Sequence, residues 1–327
     1  MKKILLLCIL TLLALNVSAQ NYSYTEFKNA FEDFSETLAA ALPFNSLIGL
    51  NWSDAYIGNF PHFGAGLTVG LTTIPVAGLK STLDTLNLGS DQFEILPVPA
   101  AMAEGRIGGF VLPFDIGVKF GMLPPGFSIP VQNGNINIDY LITGFDVRFA
   151  VLKGMLLIPT ISIGGGLNYL NAGISIPGIL NGDVNLTEVG GQDLVLKDPD
   201  IAFGWETLTI DAKAQASWSL LILNAYLGAG ATYGLIAKAG GGMESEIYLG
   251  ANKITNEEIA AIEAITGQVL DINADGIKYM ASISAPFSMR VFGGLSFTLL
   301  ILKLDLSAMY NVMDSSFGAG LNIRIQL

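Results

Sequence analysis

The chain has 327 residues, 51% of them hydrophobic and 13% charged, with a formal net charge of −12 and a mean hydropathy of +0.53. An acidic chain with no basic stripe repels nucleic acid and anionic surfaces, so nucleic acid is excluded as a partner. Its single cysteine, Cys8, excludes a disulfide framework.

In chain order, Lys2 and Lys3 precede an apolar run over 4–15 and the small residues Val17-Ser18-Ala19. That order predicts a secretory signal over 1–19, cleaved after Ala19. Its removal takes Cys8 and two lysines, leaving a cysteine-free chain whose net charge moves from −12 to −14. Beyond the signal, no stretch approaches the roughly 20 consecutive apolar residues of a membrane-crossing helix. The segment 20–61 is expected to be helical, either periplasmic or tucked as a plug into the mouth of a barrel formed by the rest of the chain. Phe27, Ala30, Phe31, Phe34, Leu38 and Leu42 recur at helical spacing over 24–42, and Pro43 is expected to end the helix.

From residue 62 onward the period changes to two, the strand signal. Ten segments alternate: 63–71, 102–112, 114–122, 145–151, 155–169, 208–218, 225–235, 287–299, 302–312 and 317–327. The last is the clearest. Phe317, Ala319, Leu321, Ile323, Ile325 and Leu327 share one face, and Gly318, Gly320, Asn322, Arg324 and Gln326 share the other. The second is the weakest, because Gly108-Gly109 interrupts it. Apolar faces turned to lipid and polar faces turned to a lumen predict an all-β, closed antiparallel transmembrane barrel over 62–327. About ten strands are expected, within a range of 8–14. Links are short near 112–113, 152–154, 219–220, 300–301 and 314–315, and long over 74–103, 123–138, 170–204 and 240–277. That arrangement suits periplasmic turns and external loops. Short helices are expected in the long loops, over 256–270 behind Thr255 and over 76–86. Three of the short links share a run of aliphatic residues: Leu156-Leu157-Ile158, Leu220-Leu221-Ile222-Leu223 and Leu299-Leu300-Ile301-Leu302.

This pattern resembles bacterial outer-membrane β-barrels, whose final strand is read by the barrel-assembly machinery. Leu327 stands where such strands commonly carry an aromatic. The resemblance implies export to the outer membrane, with membrane lipid and that machinery as partners. A helical segment ahead of the barrel and apolar loop helices also resemble, in arrangement alone, the FadL and OmpW types of channel. That likeness implies a passive conduit for small, hydrophobic solutes. The alternative is a non-conducting surface barrel acting structurally or through its loops.

The inward faces carry both signs of charge. Asp115 with Lys119, Asp146 with Arg148, Asp211 with Lys213 and Lys303 with Asp305 are spaced to share a face, and Arg290 and Arg324 add positive charge. These ten residues are the expected lumen lining. A barrel this narrow is filled by side chains more readily than the large porins are, so a packed interior is expected over an open pore. Asp271, Asn273 and Asp275, followed by Gly276, match the first half of a calcium loop, but Ser282 stands where the closing Glu belongs. Calcium is therefore a weak expectation and no other cofactor is expected. His62 is the lone histidine, and no serine or acid stands beside it in a catalytic pattern, so no enzyme activity is expected.

Overall fold

The computed structural model describes residues 24–75, 95–131, 134–155, 158–177, 182–267, 272–274, 276–282 and 286–327. Helix α1 (Tyr24–Asn45) is followed by β1 (Phe63–Pro75), β2 (Ile95–Gly108), β3 (Phe114–Met122), β4 (Ser128–Val131), β5 (Gly134–Leu152) and β6 (Thr160–Ile176). Next come β7 (Val184–Val189), β8 (Gln192–Leu196), β9 (Asp200–Leu220), β10 (Leu223–Glu244), β11 (Ile247–Leu249) and β12 (Asn252–Lys253). Helix α2 (Asn256–Thr266), β13 (Gly276–Ser282), β14 (Phe287–Leu299), β15 (Leu302–Asn311) and β16 (Phe317–Gln326) complete the order.

Ten strands close on themselves in the order β1, β2, β3, β5, β6, β9, β10, β14, β15, β16 and back to β1. All neighbours are antiparallel, and β4 and β13 add short rungs to β5 and β10. Closure pairs every edge, the condition for a sheet in hydrocarbon. The expected alternation holds along the walls. In β15, Asp305, Met309 and Asn311 are buried while Leu304, Leu306 and Tyr310 are exposed. Outward apolar residues would meet lipid and inward polar ones fill the lumen. Among the described residues no helix is long and apolar enough to cross a membrane.

The expected segments and the strands coincide closely, with two corrections. The second strand starts at Ile95 and stops at Gly108, rather than running over 102–112. The cause is a close approach: a Cβ on Gly108 would collide with the carbonyl oxygen of Gly58, so the glycine makes room for a crossing chain instead of continuing an alternation. The fifth strand starts at Thr160, because Met155 and Ile158 close a tight turn with a bridge of their own.

Strands β5, β6, β9 and β10 have 19, 17, 21 and 22 residues, whereas crossing a membrane takes about 9–11. The surplus lies at the long-loop end. There the outward residues turn polar, with Tyr169 donating to Glu206 at 3.0 Å and Lys238 facing Glu206 across the ladder. A bulge between Gly234 and Ile236 reverses the inward parity of β10, so that Ala237 and Ala239 are buried above it.

Beyond the barrel, β12, β11, β8 and β7 form a separate four-stranded sheet. It packs with α2 around Leu194, Leu196, Met243, Ile247, Ile254, Ile259 and Ile262. A capping box at Thr255 and Glu258 starts α2, and Gly267 in the left-handed conformation ends it. The helix expected over 76–86 lies outside the described residues.

Helix α1 continues through Pro43 to Asn45, past its expected end. A proline removes one backbone donor, and in the last turn that costs a single bond. The turn is held from both sides by fully buried Leu42 and Phe44, and Ser46 donates to the carbonyls of Leu42 and Pro43. The helix packs against the barrel at the long-loop end and not the turn end. Leu38, Ala39, Ala41 and Leu42 pack with Ile74, Val98 and Ala239, all at that end.

Candidate functional site: the occupied lumen

Because the strand number is even, β1 begins and β16 finishes at the same, short-turn end, where Phe63 and Leu327 exchange backbone bonds. Helix α1 sits at the opposite end. Residues 46–62 must therefore run the length of the lumen before β1 starts. A chain of that length extends to about 55 Å, ample for the crossing.

A single strand inside a barrel has no ladder to satisfy its backbone, yet buried N–H and C=O groups must be paired. The wall side chains supply the partners. Lys119 Nζ donates to the carbonyls of Ser46 (2.6 Å) and Ile48 (2.7 Å). Lys213 reaches Leu50 at 3.2 Å, Gln215 reaches Trp52 at 2.7 Å, and Tyr226 reaches Asn51 at 2.9 Å. Arg148 donates to the Asp54 carbonyl at 2.6 Å. In the other direction, the N–H groups of Leu50, Ser53, Ala55 and Ile57 donate to Glu104, Asp305, Ser217 and Asp115. Side chains of the crossing segment add to this. Trp52 donates to Glu104 at 2.6 Å and lies under the guanidinium of Arg324, 4.4 Å from its ring. Asp54 accepts from Lys303 at 2.7 Å, Arg324 at 2.9 Å and Asn224 at 3.1 Å.

The ten expected lumen residues all face inward, and nine of them are at most 7% exposed: Asp115, Lys119, Asp146, Arg148, Asp211, Lys213, Arg290, Asp305 and Arg324. The tenth, Lys303, is partly buried at its ion pair with Asp54. Charges do not pair along a strand but across strands. Asp115 meets Arg106 and Arg148 at 2.5 and 2.9 Å, not Lys119. Asp146 meets Arg106 at 2.7 Å and Lys213 at 2.6 Å, not Arg148. Asp305 pairs with Arg324 rather than Lys303. Asp211 accepts from Asn168 at 2.8 Å and lies 3.8 Å from Arg290.

Inward glycines make these crossings feasible. Asp146 on β5 and Lys213 on β9 are separated by β6, where Gly164 and Gly166 are their register partners. Arg106 reaches Asp146 over Gly117 of β3, where a Cβ would lie 2.5 Å from the Asp146 carboxylate. The space the glycines leave is filled by charged side chains from the neighbouring strands. Beside the crossing chain, Ile48, Trp52, Glu104 and Asn322 help line a cavity of about 20 Å³, room for about one water.

Glu104, Arg106 and Asp54 are central here and absent from the residues expected on sequence grounds. Met102, Glu104 and Arg106 do alternate inward, a signal masked by Gly108-Gly109. Asp54 carries no periodic signal at all. Of the calcium-loop residues, Asp271 and Asp275 lie outside the described residues. Asn273 is paired through its backbone with Gly276, 2.9 Å in each direction. Among the described residues no group of three or more His, Cys, Asp or Glu is placed to hold a metal. His62 is exposed at the turn end, its Nδ1 2.5 Å from the Asn59 carbonyl.

No family model matches the chain, and no curated protein does. The solved structures to which it is similar are outer-membrane β-barrels. The translocator domain of autotransporter NalP from Neisseria meningitidis is 10% identical with a TM-score of 0.34, over 94% of this chain and 99% of that one. A FadL homologue from Pseudomonas aeruginosa is 7% identical with a TM-score of 0.25, over 81% of this chain and 90% of that one. The toluene transporter TbuX from Ralstonia pickettii is 10% identical with a TM-score of 0.27, over 87% and 90%.

Proposed function

We propose that this chain is an exported outer-membrane barrel whose lumen is closed by its own residues 46–62, and that it acts as a non-conducting surface barrel. The observation that carries the reading is the crossing segment, with backbone bonds to Lys119, Lys213, Gln215, Arg148 and Glu104 of the wall. An open conduit for small hydrophobic solutes would need a free path, and here the charged residues that would line one are spent on holding the chain. Removing one partner from a buried ion pair costs about 3–5 kcal/mol, so displacing the segment would strand several charges at once.

In this reading the predicted signal over 1–19 directs export, the short turns face the periplasm and the long loops face outward. What the barrel presents there is the four-stranded sheet with α2, and α1 seated in the mouth. Membrane lipid and the barrel-assembly machinery are its partners in the envelope, and no catalytic role is assigned.

Planar-bilayer recording of the refolded protein tests this. Silence is expected from a preparation with barrel circular dichroism and heat-modifiable gel migration. Stable single-channel steps from the intact chain would return the passive-conduit reading to first place.

A further inference from the structure

The turns at the end opposite the loops have an unexpected chemistry. Tight turns facing water favour Gly, Asn, Asp and Ser. Here they carry exposed apolar side chains: Phe110 73%, Val111 86%, Met155 78%, Leu221 97% and Leu300 91% exposed. Leu221 and Leu300 have φ of 52° and 57°, in the left-handed region that disfavours a branched side chain. Strained leucines where asparagine would sit without strain call for a reason other than folding of the turn itself.

We propose that this apolar rim is a lipid-binding surface, with the turns seated in the headgroup and acyl boundary of the adjoining leaflet. The occupant is phospholipid rather than a periplasmic protein.

Three observations support lipid. The first is continuity. On β9 the outward residues are apolar from Leu208 to Leu220 and pass without a polar break into Leu221 and Ile222. On β14 they run from Phe287 to Leu299 and on into Leu300 and Ile301. The aromatic side chains of Tyr233 and Phe287 mark the upper edge of that band, and Trp218 and Phe297 the lower. The ten residue steps from Tyr233 to Leu223 on a strand tilted about 40° cover about 25 Å, the height of the apolar band in such barrels. The turn tips lie just beyond it.

The second is distribution. The apolar turns occur in all four hairpins at this end, around the whole ring, and Phe60 stacks on Phe110 at 4.6 Å to extend it. A protein partner covers one side, whereas a leaflet surrounds the barrel. The third is backbone satisfaction, which immersion requires. The carbonyls of Pro113, Ile222 and Ile301 each accept from the neighbouring strand, from Ala150 at 2.7 Å, Thr298 at 2.8 Å and Gln326 at 2.8 Å.

A lipid-seated rim is independent of whether the lumen conducts. With Cys8 removed with the signal, single cysteines can be placed and labelled with an environment-sensitive fluorophore. The variants are Leu221→Cys, Leu300→Cys and, at a turn without positive φ, Val111→Cys. The protein is reconstituted at low protein-to-lipid ratio in phosphatidylcholine vesicles with brominated acyl chains. Leu227→Cys in the lipid-facing band and Glu257→Cys on α2 are the references. Quenching at the turn positions comparable to that at position 227 is expected. Quenching no greater than at position 257 overturns the proposal. A water-like emission would then indicate a bare rim, and an apolar emission a protein partner or a second copy. Any variant that fails to give the heat-modifiable form is replaced by the other two.

Discussion

Arg106 on β2 and Asp146 on β5 meet at 2.7 Å across the strand that separates them, because Gly117 of β3 offers no side chain in between. Both are buried, so their pairing is held in a low-dielectric interior where a separated charge is costly. Gly117→Val should therefore destabilise the barrel by about 3–5 kcal/mol, as the loss of a buried ion pair. Gly105→Ala is the control. Its added Cβ would meet Val118 at 3.7 Å, an ordinary contact, on the outward face. Urea unfolding in detergent, followed by tryptophan fluorescence, should separate the two variants clearly. Equal midpoints would remove the role assigned to Gly117.

Lys119 secures the top of the crossing segment through Ser46 and Ile48. Hydrogen bonds to charged groups contribute about 1.5–3 kcal/mol each. Lys119→Met keeps the length of the side chain and loses both bonds, and should lower unfolding stability by about 3–6 kcal/mol by that scale. It should also let residues 46–48 exchange their amides faster while the barrel strands keep their protection. Unchanged exchange at 46–48 would mean that packing of Phe44 and Ile48, and not the lysine, holds the segment.

Both predictions turn on features that differ in how far residues alone reveal them. The ten barrel strands are legible because lipid on one side and a polar interior on the other impose period two along each of them. The surplus ends of β5, β6, β9 and β10 are not, since above the membrane Asn171, Glu206 and Lys238 face water and the contrast between faces is lost. The lumen charges are legible as inward residues. Their partners are not, because Asp146 finds Lys213 through the stagger of three strands and through the glycines of β6, and neither is written in local spacing. Residues 46–62 carry no periodicity, since many of their backbone groups are satisfied by side chains scattered over the wall, such as Lys119, Glu104, Ser217 and Asp115. The parity of the strand count joined to the position of α1, and the bonds from 46–57 to inward wall side chains, show that they cross.

Leu221 and Leu300 carry a left-handed backbone at two-residue turns. A left-handed conformation costs an L-residue with a Cβ roughly 1–2 kcal/mol, and asparagine tolerates it better. Leu221→Asn and Leu300→Asn should each raise stability in detergent micelles by about 0.5–1 kcal/mol on that account. In bilayers the gain should shrink or reverse, since the leucine's contact with lipid is then lost. The thermal midpoint of each variant in micelles and in vesicles measures the difference. A gain equal in both would separate the turn strain from any lipid contact.

Thr255 accepts from the backbone of Glu258, and Glu258 returns a bond to the Thr255 N–H at 2.7 Å. Loss of a cap of this kind costs about 1 kcal/mol. Thr255→Ala should loosen α2 and the sheet beside it and leave the barrel itself in place, since the barrel meets that core at the loop-side strand ends, through Met243 of β10 and Phe203 of β9. Hydrogen exchange over 256–266 should rise several-fold, the rate equivalent of about 1 kcal/mol, while the barrel's unfolding midpoint stays put. A parallel fall of the barrel midpoint would show that the external unit and the barrel unfold together.

The position of α1 makes a prediction about sidedness. Ten strands return the barrel to the end at which it began, so α1 lies at the long-loop end only because residues 46–62 traverse the lumen. With the long loops outward, Glu36, exposed on α1, should face the outside of the cell, and Lys153, exposed in a short turn, should face the periplasm. With the proposed signal over 1–19 removed, and Cys8 with it, cysteine at either site is unique. In intact cells a membrane-impermeant maleimide should label Glu36→Cys and leave Lys153→Cys unlabelled until the outer membrane is permeabilised. The opposite pattern would invert the barrel. Protection of both sites in intact cells, with labelling of both after permeabilisation, would place α1 at the turn side and so dissolve the crossing chain on which the closed lumen rests.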